Sequence, residues 1–123
     1  MDEIELGLAS WLQKIVATEE PLAEIVAFRF GLGEVEEGYT IYLAGSKIYD
    51  EADTEWATYP PDFLASEEAV LAESEVGEWK DMLLAALHFL GTALRKAPFA
   101  TSFLGGDIPV YAGFDDGDLY RIK

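Results

Sequence analysis

The stretch that decides the fold is residues 24–46, EIVAFRFGLGEVEEGYTIYLAGS. In residues 24–32 every second residue is apolar, and this row consists of Val26, Phe28, Phe30 and Leu32. A period of two is typical of a β-strand with one buried face. Residues 39–44 repeat the pattern, and residues 33–38 between them begin and end with glycine. The stretch therefore predicts an antiparallel hairpin with a loop of moderate length.

Two other segments have the period of an amphipathic helix. Residues 2–17 place one apolar row on one face: Ile4, Leu8, Trp11, Leu12, Ile15 and Val16. Asp2 and Glu5 at their start resemble a capping box. Residues 75–96 carry a wider stripe, made of Val76, Trp79, Leu83, Ala86, Leu87, Leu90 and Leu94. Pro98 prevents further winding. We predict one helix over each segment.

The chain ends in a second predicted hairpin. Residues 108–114 and 119–122 flank Asp115-Asp116-Gly117-Asp118, which is a strong turn signal. Residues 50–61, DEADTEWATYPP, are acidic at first and stop at two prolines, so they predict a loop.

Three segments are ambiguous. Residues 63–71 fit a short helix capped by Ser66, since two glutamates follow that serine. Residues 47–49 and 101–104 are candidate short strands. With the clearer elements, they predict a single α+β domain over residues 1–123. Its antiparallel sheet has about four to six strands, and both amphipathic helices pack on one face.

Charge sets the expected class of partner. The chain has 24 Asp and Glu against 8 Lys and Arg, a formal net charge of −16, yet half of its residues are hydrophobic. Such a chain can build a core and still present a negative surface. We therefore expect a basic protein partner, and neither a nucleic acid nor an anionic membrane.

Composition also limits location and cofactors. The absence of cysteine excludes disulfides, thiolate metal sites and thiol nucleophiles. The N-terminal residues lack the basic region of a secretory signal. The longest apolar run, residues 82–94, is short for a membrane span. We predict a cytoplasmic protein that needs no cofactor.

No motif in the sequence specifies catalysis or a metal site. Asp50, Asp53 and Glu55 offer oxygen ligands, but their spacing is not that of an EF-hand loop. His88 is the one histidine, and helical phase places it on the polar side of its helix. No serine has a G-x-S-x-G context. Among 24 acids, some carboxylate pair falls near any required distance by chance. We predict that the chain is not an enzyme.

The acidic loops are the candidate partner-binding residues. They comprise Asp50, Glu51, Asp53, Glu55, Trp56, Tyr59, Asp115, Asp116 and Asp118. Two alternatives stay open for Trp56. It anchors its loop to the body of the protein, or it stands exposed as an interface hot spot. An aromatic ring among carboxylates suits recognition of a basic side chain. We expect Trp79 and Trp11, by contrast, in the core.

Three stretches carry a resemblance to a known class of proteins: residues 24–46 quoted above, YDEADTEWA at 49–57 and VYAGFDDGDLYRI at 110–122. In these the chain resembles the small acidic immunity proteins found beside bacterial polymorphic toxins and contact-dependent inhibition toxins. The resemblance implies a stoichiometric inhibitor that blocks a cognate toxin, often a basic nuclease, and has no catalysis of its own.

Three functional hypotheses follow. The first is an acidic inhibitor of the immunity type, steered onto a basic toxin by its loops. The second is a small ligand-binding or hydrolytic domain, which requires a deep cleft with converging acids and an aromatic wall. The third is a homo-oligomerising structural module, in which the exposed face or edge of the sheet pairs with a second copy.

Overall fold

The computed structural model of the chain describes residues 3–123. They form a sheet of six strands whose inner face is covered by helices. The elements are α1 (Glu3–Thr18), β1 (Ala27–Val35), β2 (Gly38–Ser46), β3 (Phe63–Leu64), β4 (Ala69–Ala72), α2 (Glu73–Val76), α3 (Trp79–Ala93), β5 (Val110–Phe114) and β6 (Tyr120–Arg121). Two short 3-10 helices lie at Thr54–Thr58 and Phe99–Thr101. The predicted α+β class is confirmed.

The strand order is β3-β2-β1-β5-β6, and β4 also pairs with β2. The first hairpin is longer than predicted, because β1 and β2 pair antiparallel up to Val35 and Gly38. Only Glu36 and Glu37 form the turn. The pairing of β1 with β5 is parallel, which the sequence pattern did not predict. The sheet is therefore mostly, but not wholly, antiparallel.

The main core lies between the inner face of the sheet and the two long helices. β1 contributes Phe28, Phe30 and Leu32, all at most 1% exposed. Helix α1 supplies Leu8, Leu12 and Ile15, and α3 supplies Met82, Ala86 and Leu90. Val26 does not continue the row of β1, since the strand begins one residue later and Val26 is exposed. Burying rows of this size supplies most of the free energy that holds the two layers together.

The single helix predicted over residues 75–96 is wrong, because two helices occupy this segment. Gly77 has a φ of 102°, a conformation that suits glycine, and it ends α2. A capping box then starts α3, as the backbone N–H of Glu78 donates to the Asp81 carboxylate over 2.9 Å. No helix within residues 3–123 has both the length and the apolar character needed to cross a membrane.

The restart of the helix changes which residues are buried. Met82 and Phe89 face the core, although neither belongs to the predicted stripe. Trp79 is the first residue of α3 and is 47% exposed, so its expected place in the core is wrong. Trp11 is buried as expected, with its ring edge-on to Phe30 at 5.9 Å.

The ambiguous segments form other structures than those expected. Residues 63–71 contain no helix, because β3 and β4 pair there with β2. Ser66 lies between those two strands, and its hydroxyl donates to the Glu19 carboxylate. Residues 47–49 and 101–104 contain no strand. The capping box predicted from Asp2 lies outside the described residues.

Glycine leaves part of the outer face of the sheet without side chains. Gly31 of β1 lies in register with Tyr42 of β2 on one side and with Gly113 of β5 on the other. The Tyr42 ring lies where a Cβ of Gly31 would stand, and the Asp118 carbonyl lies where a Cβ of Gly113 would stand. The turn after β5 can therefore fold back directly onto the sheet.

We predict that Gly113→Ala destabilises the protein by about 1–3 kcal/mol, because the new methyl group overlaps backbone that cannot move without displacing the turn. Gly117→Ala is the matched control, since its nearest neighbour would be 3.6 Å away in ordinary contact. Urea unfolding of both variants measures the difference. Equal stability of the two variants would contradict the close approach.

Candidate functional site

A cleft of about 460 Å³ opens on the outer face of the sheet. One wall is the short helix Thr54–Thr58, and the other is the turn that follows β5. The floor consists of Arg29, Tyr42 and Gly113. We call this the acidic cleft. Its volume lies within the range of about 300–1,000 Å³ that is typical of ligand pockets.

A chain of hydrogen bonds crosses the floor of the acidic cleft. Arg29 Nη1 donates to the Tyr42 hydroxyl over 2.9 Å, and that hydroxyl donates to Asp115 Oδ1 over 2.5 Å. Arg29 Nη1 lies 3.9 Å from the same carboxylate oxygen. Burial, followed by the hydrogen bond to Asp115, raises the pKa of Tyr42. The tyrosine therefore stays protonated near neutral pH and joins an arginine of β1 to the turn after β5.

Trp56 anchors the loop of residues 50–61, which we call the Trp56 loop. Its side chain is 3% exposed and packs edge-on against Tyr49 at 5.3 Å and Tyr111 at 5.5 Å. Each such aromatic pair contributes about 0.5–1.5 kcal/mol beyond the area that it buries. Of the two alternatives for Trp56, the anchor is therefore correct, and the exposed hot spot is wrong.

Three predicted site acids hold the Trp56 loop in shape. Asp50 Oδ1 accepts the backbone N–H of Ala52, and Asp53 Oδ1 accepts that of Glu55, each over 2.9 Å. Both are local turns of the kind that aspartate favours. Glu51 Oε1 accepts a hydrogen bond from Arg121 Nη1 over 3.1 Å, which ties the loop to β6.

Asp115 is held by Tyr42, but the three remaining predicted acids hold no part of the structure in place. Within residues 3–123, no hydrogen bond or ion pair holds the carboxylates of Glu55, Asp116 or Asp118, and all three are exposed. Their charges are therefore available to a partner. Tyr59, which lies on the Trp56 loop like Glu55, is 45% exposed.

The structure brings the two predicted acidic segments together. Asp115 and Asp118 line the acidic cleft itself. A smaller hollow of about 220 Å³ is lined by Ile48 and five predicted residues, namely Asp50, Asp53, Glu55, Trp56 and Tyr59. We call the Trp56 loop, the turn of residues 115–118 and the cleft between them the acidic surface. Its seven exposed carboxylates meet two guanidinium groups, those of Arg29 and Arg121.

Sequence reasoning missed the floor of the cleft. Arg29 was visible as the one basic residue of its strand, and Tyr42 lies on the same face in the paired strand. Gly113 gave no usable signal, because its place beside Gly31 depends on the unpredicted parallel pair.

Among residues 3–123, no three His, Asp or Glu side chains come together in a way that could hold a metal ion. His88 lies exposed on α3, on the polar side that helical phase predicted.

We predict that Trp56→Ala lowers the free energy of unfolding by about 3–5 kcal/mol, because a large buried ring is lost. Trp56→Phe should cost about 1–2 kcal/mol, since two ring contacts persist and the indole N–H that it removes has no partner among the described residues. Urea unfolding measures both. Equal losses in the two variants would contradict the role of the aromatic contacts.

Tyr49 provides a pH-dependent test of the same anchor. Its hydroxyl lies 2.9 Å from that of Tyr111, and burial together with this hydrogen bond raises the pKa of Tyr49 to about 12. The folded state therefore holds this proton more tightly than the unfolded state, in which the pKa is 10.0. The stability that results is present below pH 10 and is lost as the pH rises from 10 towards 12.

In wild-type protein we expect the free energy of unfolding to fall across this alkaline window. In Tyr49→Phe the fall should be smaller, because the titrating group is absent. Chemical unfolding at a series of alkaline pH values measures both slopes. Identical slopes would show that Tyr49 titrates alike in the folded and unfolded states.

No protein-family model matches the sequence, and the searches of curated proteins and of solved structures found no significant match. The case for a function therefore depends on the acidic surface itself.

Proposed function

We propose that the chain is an acidic protein-binding inhibitor, an immunity protein that neutralises a basic toxin by stoichiometric binding. The observation that carries the proposal is the meeting of the Trp56 loop and the 115–118 turn across one cleft. The surface they form has seven exposed carboxylates, and the two guanidinium groups that reach it are already engaged by Asp115 and Glu51.

Electrostatics favours a basic partner for this surface. Exposed charges of one sign attract an oppositely charged protein before contact and raise the association rate, up to about 10⁸–10⁹ M⁻¹s⁻¹ at low salt. The same field repels nucleic acids. A toxin that binds nucleic acid carries a basic groove, so an acidic surface can occupy that groove in place of its substrate.

Rigidity favours tight binding. Trp56 fixes one acidic segment by burial, and the Tyr42 hydroxyl fixes the other through Asp115. A surface that is already ordered loses less conformational entropy on association than a mobile loop does. The proposal requires no catalytic residue, metal or cofactor, because inhibition follows from occupancy alone.

A second candidate is a small ligand-binding or hydrolytic domain. It is favoured by the size of the acidic cleft, about 460 Å³, and by the convergence of Arg29, Tyr42 and Asp115 at its floor. This candidate predicts that a small molecule binds the cleft and competes with the protein partner. If a small molecule binds the cleft saturably and no protein partner binds the chain, the ligand-binding candidate is favoured over the inhibitor.

The test uses the protein encoded beside this gene as the trial toxin. Coexpression of the wild-type chain should restore growth that the trial toxin arrests, and the purified pair should form a stoichiometric complex. The triple variant Glu55→Lys, Asp116→Lys and Asp118→Lys should associate about tenfold more slowly at low salt, because attraction is replaced by repulsion. Stopped-flow measurement of the association rate at several salt concentrations gives the effect.

The matched control is Glu3→Lys, Glu20→Lys and Glu75→Lys, which makes the same change in net charge at exposed positions on or next to α1 and α2. It should associate at nearly the wild-type rate. If both triple variants slow association equally, net charge matters and the acidic surface does not. An association rate that is insensitive to salt in all three proteins would refute electrostatic steering.

A further inference from the structure

Another concavity lies beyond the 115–118 turn, on the helical side of the sheet edge. It has a volume of about 140 Å³ and is lined by Trp79, Leu83, Phe114, Gly117, Asp118 and Tyr120. We call it the aromatic pocket. Three of its residues, Phe114, Gly117 and Asp118, also line the acidic cleft. The turn therefore separates the two concavities and belongs to both.

The aromatic pocket exposes rings that a folded chain normally buries. Trp79 is 47% exposed and Tyr120 is 42% exposed, whereas Trp11 and Trp56 are 7% and 3% exposed. Trp79 is held in place by Phe114, whose ring lies 6.0 Å away at an interplanar angle of 89°. An exposed but fixed tryptophan is typical of residues that dominate interface energetics.

The surroundings of Trp79 suit a cation. The Nζ of Lys80 lies 5.7 Å from the centroid of the Trp79 ring, so the chain itself already places a positive charge over this ring. Asp118 lines the same pocket, and its carboxylate has no hydrogen bond or ion pair within residues 3–123. Rings and an available carboxylate together form the kind of site that binds a cationic group.

We propose that the aromatic pocket receives an arginine side chain of the basic partner. A guanidinium group stacks flat on an aromatic ring and also forms paired hydrogen bonds with a carboxylate, whereas an ammonium group does neither as well. The volume of about 140 Å³ is close to that of a cavity of about 150 Å³ that holds a benzene molecule, and a guanidinium group is smaller than a benzene ring. This inference rests on the proposed function, because it names one contact of the same partner.

The probe is acetylated and amidated hexa-arginine, with hexa-citrulline as a neutral peptide of the same shape and hexalysine as a charged peptide without guanidinium groups. Nitrogen–proton NMR resolves the indole N–H of each tryptophan. Hexa-arginine should shift the Trp79 signal and leave that of buried Trp56 unchanged. Hexa-citrulline should shift neither, and hexalysine should shift Trp79 less. Equal shifts of Trp79 with hexa-arginine and hexa-citrulline would overturn the proposal, and equal shifts with hexalysine would overturn its choice of arginine.

Variants test the site in opposite directions. Trp79→Ala should weaken hexa-arginine binding about two- to fivefold, which is the worth of an exposed cation–π contact. Lys80→Ala should strengthen binding, because it removes the competing cation. Leu84→Ala is the matched control, since Leu84 is 66% exposed on the same helix and does not line the pocket. Calorimetric titration measures all three.

If Trp79→Ala binds like Leu84→Ala, the pocket plays no part. If Trp79→Ala does not fold, the wild-type indole shift and the gain in Lys80→Ala still decide the question. The two proposals fail separately. Suppose that the trial toxin associates slowly with the Glu55, Asp116 and Asp118 triple variant but associates with Trp79→Ala at the wild-type rate. This result would refute only the proposal for the pocket. A trial toxin that binds none of these proteins removes the proposed function, while the peptide titrations still report on the pocket.

Discussion

The architecture depends on the parallel pairing of β1 with β5, which sets Gly31 beside Gly113 in the middle of the sheet. This pair joins segments that are far apart in the chain, so loop-closure entropy opposes it until the core forms. Once formed, it leaves a strip of backbone without side chains. The Tyr42 ring fills one part of the strip and the 115–118 turn covers another. The acidic cleft is the space that remains.

The acids near this cleft divide into two groups with different physical roles. Four acids, namely Asp50, Glu51, Asp53 and Asp115, accept hydrogen bonds that fix backbone or side-chain geometry. Glu55, Asp116 and Asp118 face solvent without partners among the described residues. The first group orders the surface, and the second supplies charge that a partner can use. A composition dominated by carboxylates therefore does not imply that every carboxylate contributes to binding.

How much could be predicted from the sequence depended on how local the governing interaction was. The first hairpin and the last turn follow from alternation and turn chemistry, so both were predicted, and the error in the first turn was one of length. The break at Gly77 was missed because an apolar stripe of helical period continues across it. Strands of two to four residues, such as β3 and β4, are too short to show a period, and tertiary pairing alone defines them.

The site was predicted in part for the same reason. Aspartates in turns predict exposed acidic loops, and the acidic residues of the Trp56 loop and of the 115–118 turn are exposed. The sequence left two places open for Trp56 and put Trp79 wrongly in the core, because local context is a poor guide to burial of a large ring. Trp56 follows a run of acids but reaches Tyr49 and Tyr111, which the fold alone brings near. Trp79 fits an apolar stripe but is the first residue of its helix, where it lines a pocket with Tyr120 of the edge strand β6.

The position of the 115–118 turn has a consequence for the shape of any protein that binds on both of its sides. The turn stands as a ridge, with a concavity on the outer face of the sheet and another on the helical side. A flat surface can touch only the crest of such a ridge. A protein that contacts both flanks must have a concave surface at that point and must extend around the edge of the sheet. The ridge would then fill that depression and exclude other molecules from it.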